Sequence, residues 1–425
     1  MLKSKFTVKK NITRIKVDTL ADIAFVIFFC SPLISLILSE VFSVFGLASL
    51  ADIATIFLIY FPLFLFCLIK SGKYVPFDFF VILIVSACIF GIAYLFHPEY
   101  GYWYGRENYG VWDYIYFPTE AIYAYLFVRL MDNPTRLFRN MKISGWIMYV
   151  YFFLQIYSSL KRGYWYGVGV SKATVEYTYS VSFGYNVLIF VLVFLHEAIK
   201  NKKASDIAGS VIGLYMIFAY GSRGPVLCIA IFLLLISYTH FQKSKNRWIL
   251  ILLIPLMLIV FLFYEYILIG LLSILSSLNI NSRTIQKLLA GTITDDSNRS
   301  VIWNAAVQMI KDNPLGYGPL GSQPVISRYV YAGYPHSIFL EIWIDFGIIF
   351  GTLILAFLLI NAVNMITKKE NIEWRGAFIV LFCTSCQLLL SLCYWSSTAF
   401  WASIAVGVNC SLAKKRKRRA AWKSR

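Results

Sequence analysis

Gly46-Leu-Ala-Ser-Leu-Ala-Asp-Ile-Ala-Thr-Ile-Phe-Leu-Ile-Tyr-Phe-Pro-Leu-Phe-Leu-Phe-Cys-Leu-Ile69 runs for 24 residues with one charge, Asp52. A helix needs about 20 apolar residues to cross the hydrocarbon core of a bilayer. The run is apolar on every face, so it reads as a helix and not as a barrel strand, which would alternate. Working outward, the same reading holds at roughly 20–38, 76–96, 112–130, 143–160, 179–198, 207–221, 226–240, 248–272, 336–360, 376–394 and 400–412. The expected fold is all-α: a polytopic membrane helix bundle of about twelve transmembrane helices. Residues 1–425 form a single integral membrane domain in this reading. The short last run and a Gly-Ser-Arg-Gly-Pro break within 207–240 leave eleven or thirteen as alternative counts.

Composition agrees. Apolar residues make up 59% of the 425, charged residues only 14%, and mean hydropathy is +0.69. So few charges cannot cover a soluble globule, and such a chain is neither disordered nor collagen-like. Yet the net charge is +18. Placing the N-terminus inside puts 29 of the 39 Lys and Arg residues in cytoplasmic segments and 10 outside, as the positive-inside rule requires. Both termini are then cytoplasmic. The basic tail, 413–425, follows a span directly, so it reads as a stop signal gripping anionic lipid and not as a nucleic-acid patch. No cleavable signal peptide is evident, and the first span reads as retained. All eight cysteines fall in expected spans. Cys383-x-x-Cys386 has no second pair, which supports neither zinc nor redox chemistry.

Function is expected on the outer face, where three segments exceed simple turns: 97–111, 161–178 and the large extracytoplasmic loop, 273–335. The first two share the string Gly-Tyr-Trp-Tyr-Gly, at 101–105 and 163–167. Its Trp103 and Trp165 could stack on sugar faces, or belong to an interfacial aromatic belt. In the large loop a helix is expected at about 299–311, capped by Asp296, Ser297 or Asn298. Ile302, Ala305, Ala306 and Met309 share one face, giving an amphipathic helix along the membrane surface. Arg299 lies in its first turn, where the helix dipole favours an anion. Arg223 sits in the Gly221–Pro225 turn, either binding an anion or snorkelling. His336 opens a span. A neutral imidazole there suits a general base, although a solvated cap is the plainer reading. Glu341 and Asp345 lie deeper in that span and are functional candidates for that reason. Arg283 and Tyr317 complete the secondary candidates.

Three ordered stretches resemble the O-antigen ligase/polymerase superfamily, which includes Wzy-type polysaccharide polymerases and WaaL ligases. They are Ser222-Arg223-Gly-Pro; Asn298-Arg299-Ser-Val-Ile-Trp303 with Asn313-Pro-Leu-Gly-Tyr-Gly318; and Pro335-His-Ser-Ile-Phe-Leu-Glu341 with Asp345-Phe-Gly-Ile-Ile-Phe-Gly351. The resemblance covers about 222–351. It implies a glycosyltransferase of the bacterial cytoplasmic (inner) membrane, with an extracytoplasmic active site and a polyprenyl-diphosphate-linked saccharide as donor. Arg223 and Arg299 would hold the diphosphate, and His336 would serve the acceptor hydroxyl. Fixed cations stabilise the charge that develops on the leaving diphosphate, and arginine binds phosphate in bidentate fashion. No outside Asp-x-Asp pair has ligand-like spacing, so neither metal nor cofactor is expected.

Compact outside loops favour a polymerase, for O-antigen, capsule or exopolysaccharide, over an O-antigen ligase acting on lipid A-core. A flippase or multipass transporter is the alternative of another class, though acids within the spans are few and no inverted repeat is evident. The partners implied are lipid-linked donor and acceptor, membrane lipid, a chain-length regulator and a flippase, with no nucleic acid.

Overall fold

The computed structural model describes residues 17–70, 76–107, 109–168, 174–177, 180–243, 264–277, 285–286, 289, 299–326, 328–330 and 333–423. The helices, in chain order, are α1 (Val17–Phe29), α2 (Ser31–Ser43), α3 (Ala51–Ile69), α4 (Phe77–Phe96), α5 (Gly101–Gly105), α6 (Tyr123–Arg129), α7 (Pro134–Arg162), α8 (Val181–Asn201), α9 (Ala204–Tyr220), α10 (Arg223–Lys243), α11 (Tyr264–Ser277), α12 (Arg299–Asp312), α13 (Ser322–Ile326), α14 (Ile338–Thr367), α15 (Ile372–Ser385) and α16 (Thr398–Lys423). A short antiparallel hairpin, β1 (Trp165–Val168) with β2 (Thr174–Tyr177), pairs Trp165 with Tyr177.

Among the described residues, seven helical segments are long and apolar enough to cross a membrane, or eight if α1 and α2, bent by 75°, make one span. The expected run at 112–130 is not one of them. It is a π-helical turn, Trp112–Tyr116, and the seven-residue α6, separated by a stretch containing Pro118, which cannot donate within a helix. The run at 207–221 forms α9, which is shorter than a full span. The run at 400–412 lies within α16, which continues as helix through the basic segment to Lys423 with Lys415–Ala420 exposed. Residues 248–263 of the ninth expected span lie outside the described residues. Cys30 stands at the α1–α2 bend and Cys393 in an irregular stretch, so not every cysteine lies inside a helix.

The chain divides into two compact units. One comprises 1–91, 104–151 and 395–425. One of its polar ties is Arg129, whose guanidinium grips both carboxylate oxygens of Asp78 at 2.7 and 3.0 Å and also reaches Asn409. Asn409 in turn donates to the carbonyls of Val128 and Met131 at 2.9 and 3.0 Å, which pins α16 to the end of α6. The other unit comprises 92–103 and 152–394 and carries the residues singled out above. There the middle of α8, residues 187–194, is buried where the helix packs against α9 and α15, and α14 packs on α12 and α15.

Candidate functional site

In the second unit the three principal candidates sit at helix beginnings. Arg223 is the first residue of α10 and Arg299 the first of α12. His336 precedes Ser337, the N-cap of α14. The first turn of a helix presents free N–H groups and a positive dipole end, so each position suits an anion.

Arg299 and His336 are brought together. His336 is half-buried, and its pKa is pushed down to about 4, first by burial and then by the Arg299 charge. The imidazole is therefore neutral near pH 7. Its Nδ1 is buried and makes no hydrogen bond among the described residues. The His336 backbone is left-handed, at φ +56°. The residue is thus a strained point just outside the helix, neither a cap nor a solvated side chain. The Arg299 charge also reaches Tyr185 of α8. The Tyr185 hydroxyl lies over Gly224, where a methyl group would stand 1.7 Å from it. Only glycine lets α8 and the start of α10 approach so closely, and that approach carries the turn holding Arg223 toward the same tyrosine. Trp165 adds to this region: its ring is 5.0 Å from Phe183 and 6.5 Å from Tyr220, three residues before Arg223.

Helix α12 matches the expectation in extent but not in setting. Ile302, Ala306 and Met309 are buried, and the helix packs on α14. Its apolar face thus covers protein instead of lying on lipid. The Trp303 indole N–H, one turn after Arg299, is buried without a hydrogen-bond partner among the described residues.

Below α12 the chain interlocks with a break in α14. Gly347 has φ +75° and interrupts that helix, leaving backbone groups of the adjoining turns unpaired. The Asn313–Gly318 loop satisfies them. The N–H groups of Tyr317 and Gly318 donate to the carbonyls of Ile344 and Asp345 at 2.7 and 3.0 Å, and the Ile348 N–H donates to the Pro314 carbonyl at 2.9 Å. The Tyr317 hydroxyl donates back to the Met309 carbonyl at 3.1 Å. Tyr317 is therefore a brace between α12 and α14.

Glu341 and Asp345 occupy one face of the first two turns of α14, 1% and 2% exposed. Asp345 accepts the Tyr394 hydroxyl at 2.6 Å. Neither Glu341 oxygen reaches a hydrogen-bond partner at good geometry, although Cys393 and the Tyr394 backbone lie beside it. Both acids are thus enclosed by the protein in this structure. Trp103 is half-buried on α5, its ring 5.8 Å from Tyr102 and edge-on to it. The two copies of the repeated pentapeptide fold differently, as the helix α5 and as a turn leading into β1. They do not form matching platforms. Arg283 and the expected caps Asp296, Ser297 and Asn298 lie outside the described residues.

Sequence reading missed Tyr185, Tyr334 and Tyr394. Each is an aromatic in an apolar context, and no spacing marks it. Only its hydroxyl partners in the folded chain do.

The fold and these positions define a polytopic helical membrane protein with Arg223 and Arg299 at helix N-termini in one unit. Residues 208–356 match the family model described as O-antigen ligase, and the match supports membership of the O-antigen ligase/polymerase superfamily, a glycosyltransferase-like class of enzyme. The matched segment contains Arg223, Arg299 and His336. No curated protein and no solved structure shows significant similarity to the chain.

Proposed function

We propose that the protein is a polymerase of bacterial surface polysaccharide. It transfers a polyprenyl-diphosphate-linked glycan to another lipid-linked repeat unit on the extracytoplasmic face of the cytoplasmic membrane. The observation that carries this reading is a neutral, half-buried His336 within the field of Arg299 at the start of α12, both inside the family-matched segment.

The acceptor hydroxyl oxygen attacks the anomeric carbon of the donor sugar. The bond from that carbon to the diphosphate oxygen breaks, and the lipid diphosphate leaves with the bonding electrons. The acceptor proton passes to the neutral imidazole of His336 and from there to solvent. Arg223 and Arg299 stabilise the charge that builds on the leaving group, which lowers the barrier more than it tightens ground-state binding. No metal takes part in this scheme. Helix N-termini under both arginines add to the anion field, and the polyprenyl tails remain in lipid.

The test is surface-polysaccharide profiling of a deletion strain complemented with wild type or variants. Caps of a single repeat unit support the polymerase. Free polymer that never reaches lipid A-core would identify a ligase instead. An unaltered profile would remove both. Accessibility of a tag at Arg425 only from the cytoplasm would support the proposed orientation.

A further inference from the structure

Two residues other than glycine with left-handed backbones flank one tyrosine. His336 has φ +56° and Leu392 φ +66°. Such conformations are uncommon for side chains larger than glycine. They persist where the surroundings over-determine them, and they cluster at functional sites. Tyr334 touches both. Its ring lies 4.1 Å from the His336 imidazole, tilted by 43°. Its hydroxyl accepts the Leu392 N–H at 3.1 Å and meets the Ser391 hydroxyl at 3.4 Å. Pro335 stands between Tyr334 and His336. Its ring fixes its own φ and restricts the residue before it, so Tyr334-Pro335-His336 is a stiff unit with few ways to relax.

The Ser391–Tyr394 stretch to which the Tyr334 hydroxyl is tied is itself held from α14, through the Tyr394 hydroxyl on Asp345. A continuous path therefore runs from the buried acid on α14, through the 391–394 stretch, to the ring beneath His336.

We propose that Tyr334 is a positioning residue that holds the His336 imidazole in its strained setting, with the 391–394 stretch as its anchor. The inference rests on the reading of His336 as the base. Tyr334 does not touch the reacting atoms; it acts through His336. Among the described residues, the charged and titratable groups facing this pair include Arg299 from α12, which acts on His336, Glu341 of α14 and Cys393, which act on Tyr334, and Tyr185 of α8, whose hydroxyl interacts with that of Tyr334.

The experiment uses the full-length protein in lipid nanodiscs, as wild type, Tyr334→Phe and Tyr334→Ala. Two readouts are taken: modification of His336 by diethyl pyrocarbonate across pH, followed by mass spectrometry, and transfer from a polyprenyl-diphosphate oligosaccharide. Tyr334→Phe keeps the ring and loses the hydroxyl tie. It is expected to lower kcat by roughly 10- to 100-fold with KM little changed, since small misplacements of a catalytic group cost that much. His336 should become several-fold more reactive, and the midpoint of its modification should rise from about 4 toward the ordinary histidine value. Tyr334→Ala should exaggerate both changes, and thermal melting identifies a variant that fails to fold. Wild-type His336 reactivity in a folded Tyr334→Phe protein overturns the proposal, whatever the transfer rate. Altered reactivity with undiminished transfer sustains the positioning but overturns the reading of His336 as base.

Discussion

Gly316 and Gly347 meet backbone to backbone: a methyl group on Gly316 would stand 2.5 Å from the Gly347 nitrogen. Both are left-handed, at φ +94° and +75°. The contact locks the Asn313–Gly318 loop into the break in α14 and sets the distance between the helices bearing Arg299 and Glu341. Gly347→Ala would bring its methyl within 2.5 Å of the Leu315 carbonyl oxygen besides imposing an unfavourable φ. A loss of about 2–3 kcal/mol is expected, read as a lowered melting temperature in detergent. Melting at the wild-type temperature would show that the loop gives way at little cost.

The depressed pKa of His336 makes stability depend on pH. The folded value is about 4, against an ordinary 6.5. Between these values the unfolded chain binds a proton that the folded chain does not. The contribution is therefore complete above about pH 6.5 and is lost as pH falls through 4. It amounts to something on the order of 3 kcal/mol. His336→Asn should flatten the decline in melting temperature between pH 6.5 and 4. Arg299→Gln should shrink it by raising the His336 pKa. A decline unchanged in His336→Asn would assign it to other groups.

Loss of either arginine should reduce transfer by about 100- to 1000-fold at normal protein levels, the cost typical of removing one fixed donor from a developing anion. Arg299→Lys keeps the charge but not the bidentate fork, so it should recover only part of the rate. Polymer of normal length in cells carrying Arg223→Ala or Arg299→Ala would remove that residue from the site.

Tyr394→Phe deletes the donor to Asp345. Leaving a buried carboxylate short of its hydrogen bond should cost about 1–3 kcal/mol, measured by thermal or denaturant unfolding. Because Tyr394 also belongs to the anchor of Tyr334, kcat should fall with it.

In the first unit, Arg129→Met leaves Asp78 without its bidentate partner. Breaking such a pair typically costs about 3–5 kcal/mol. Asp78 is only partly enclosed, so the lower end is expected. The double variant Arg129→Met with Asp78→Leu should recover much of the loss, and a double-mutant cycle would measure the coupling.

Several features were legible from residue order because they arise locally. Within the run at 46–69 a helical segment formed over Ala48–Ile69, since length and apolarity alone decide whether a segment can cross lipid. The helix starting at Arg299 was readable from its i, i+3, i+4, i+7 face and its Asn313-Pro314 stop. The 112–130 run misled because hydropathy does not register the Pro118 break. The setting of α12 misled because an apolar stripe looks the same whether lipid or protein will cover it.

The sequence by itself determined that the chain is helical and lipid-solvated. It also placed Arg299 in the first turn of a helix, His336 at the opening of a span and Arg223 in the turn between two spans; the structure makes Arg223 the first residue of α10. Tertiary structure alone decided what surrounds them. Gly-Tyr-Trp-Tyr-Gly is a helix at 101–105 and a turn entering a strand at 163–167, because five residues carry too little preference of their own to resist their neighbours. The left-handed His336, the tyrosine beneath it and the burial of Glu341 and Asp345 depend on contacts between residues far apart in the chain. Those contacts come from the path of the backbone, which no local periodicity encodes.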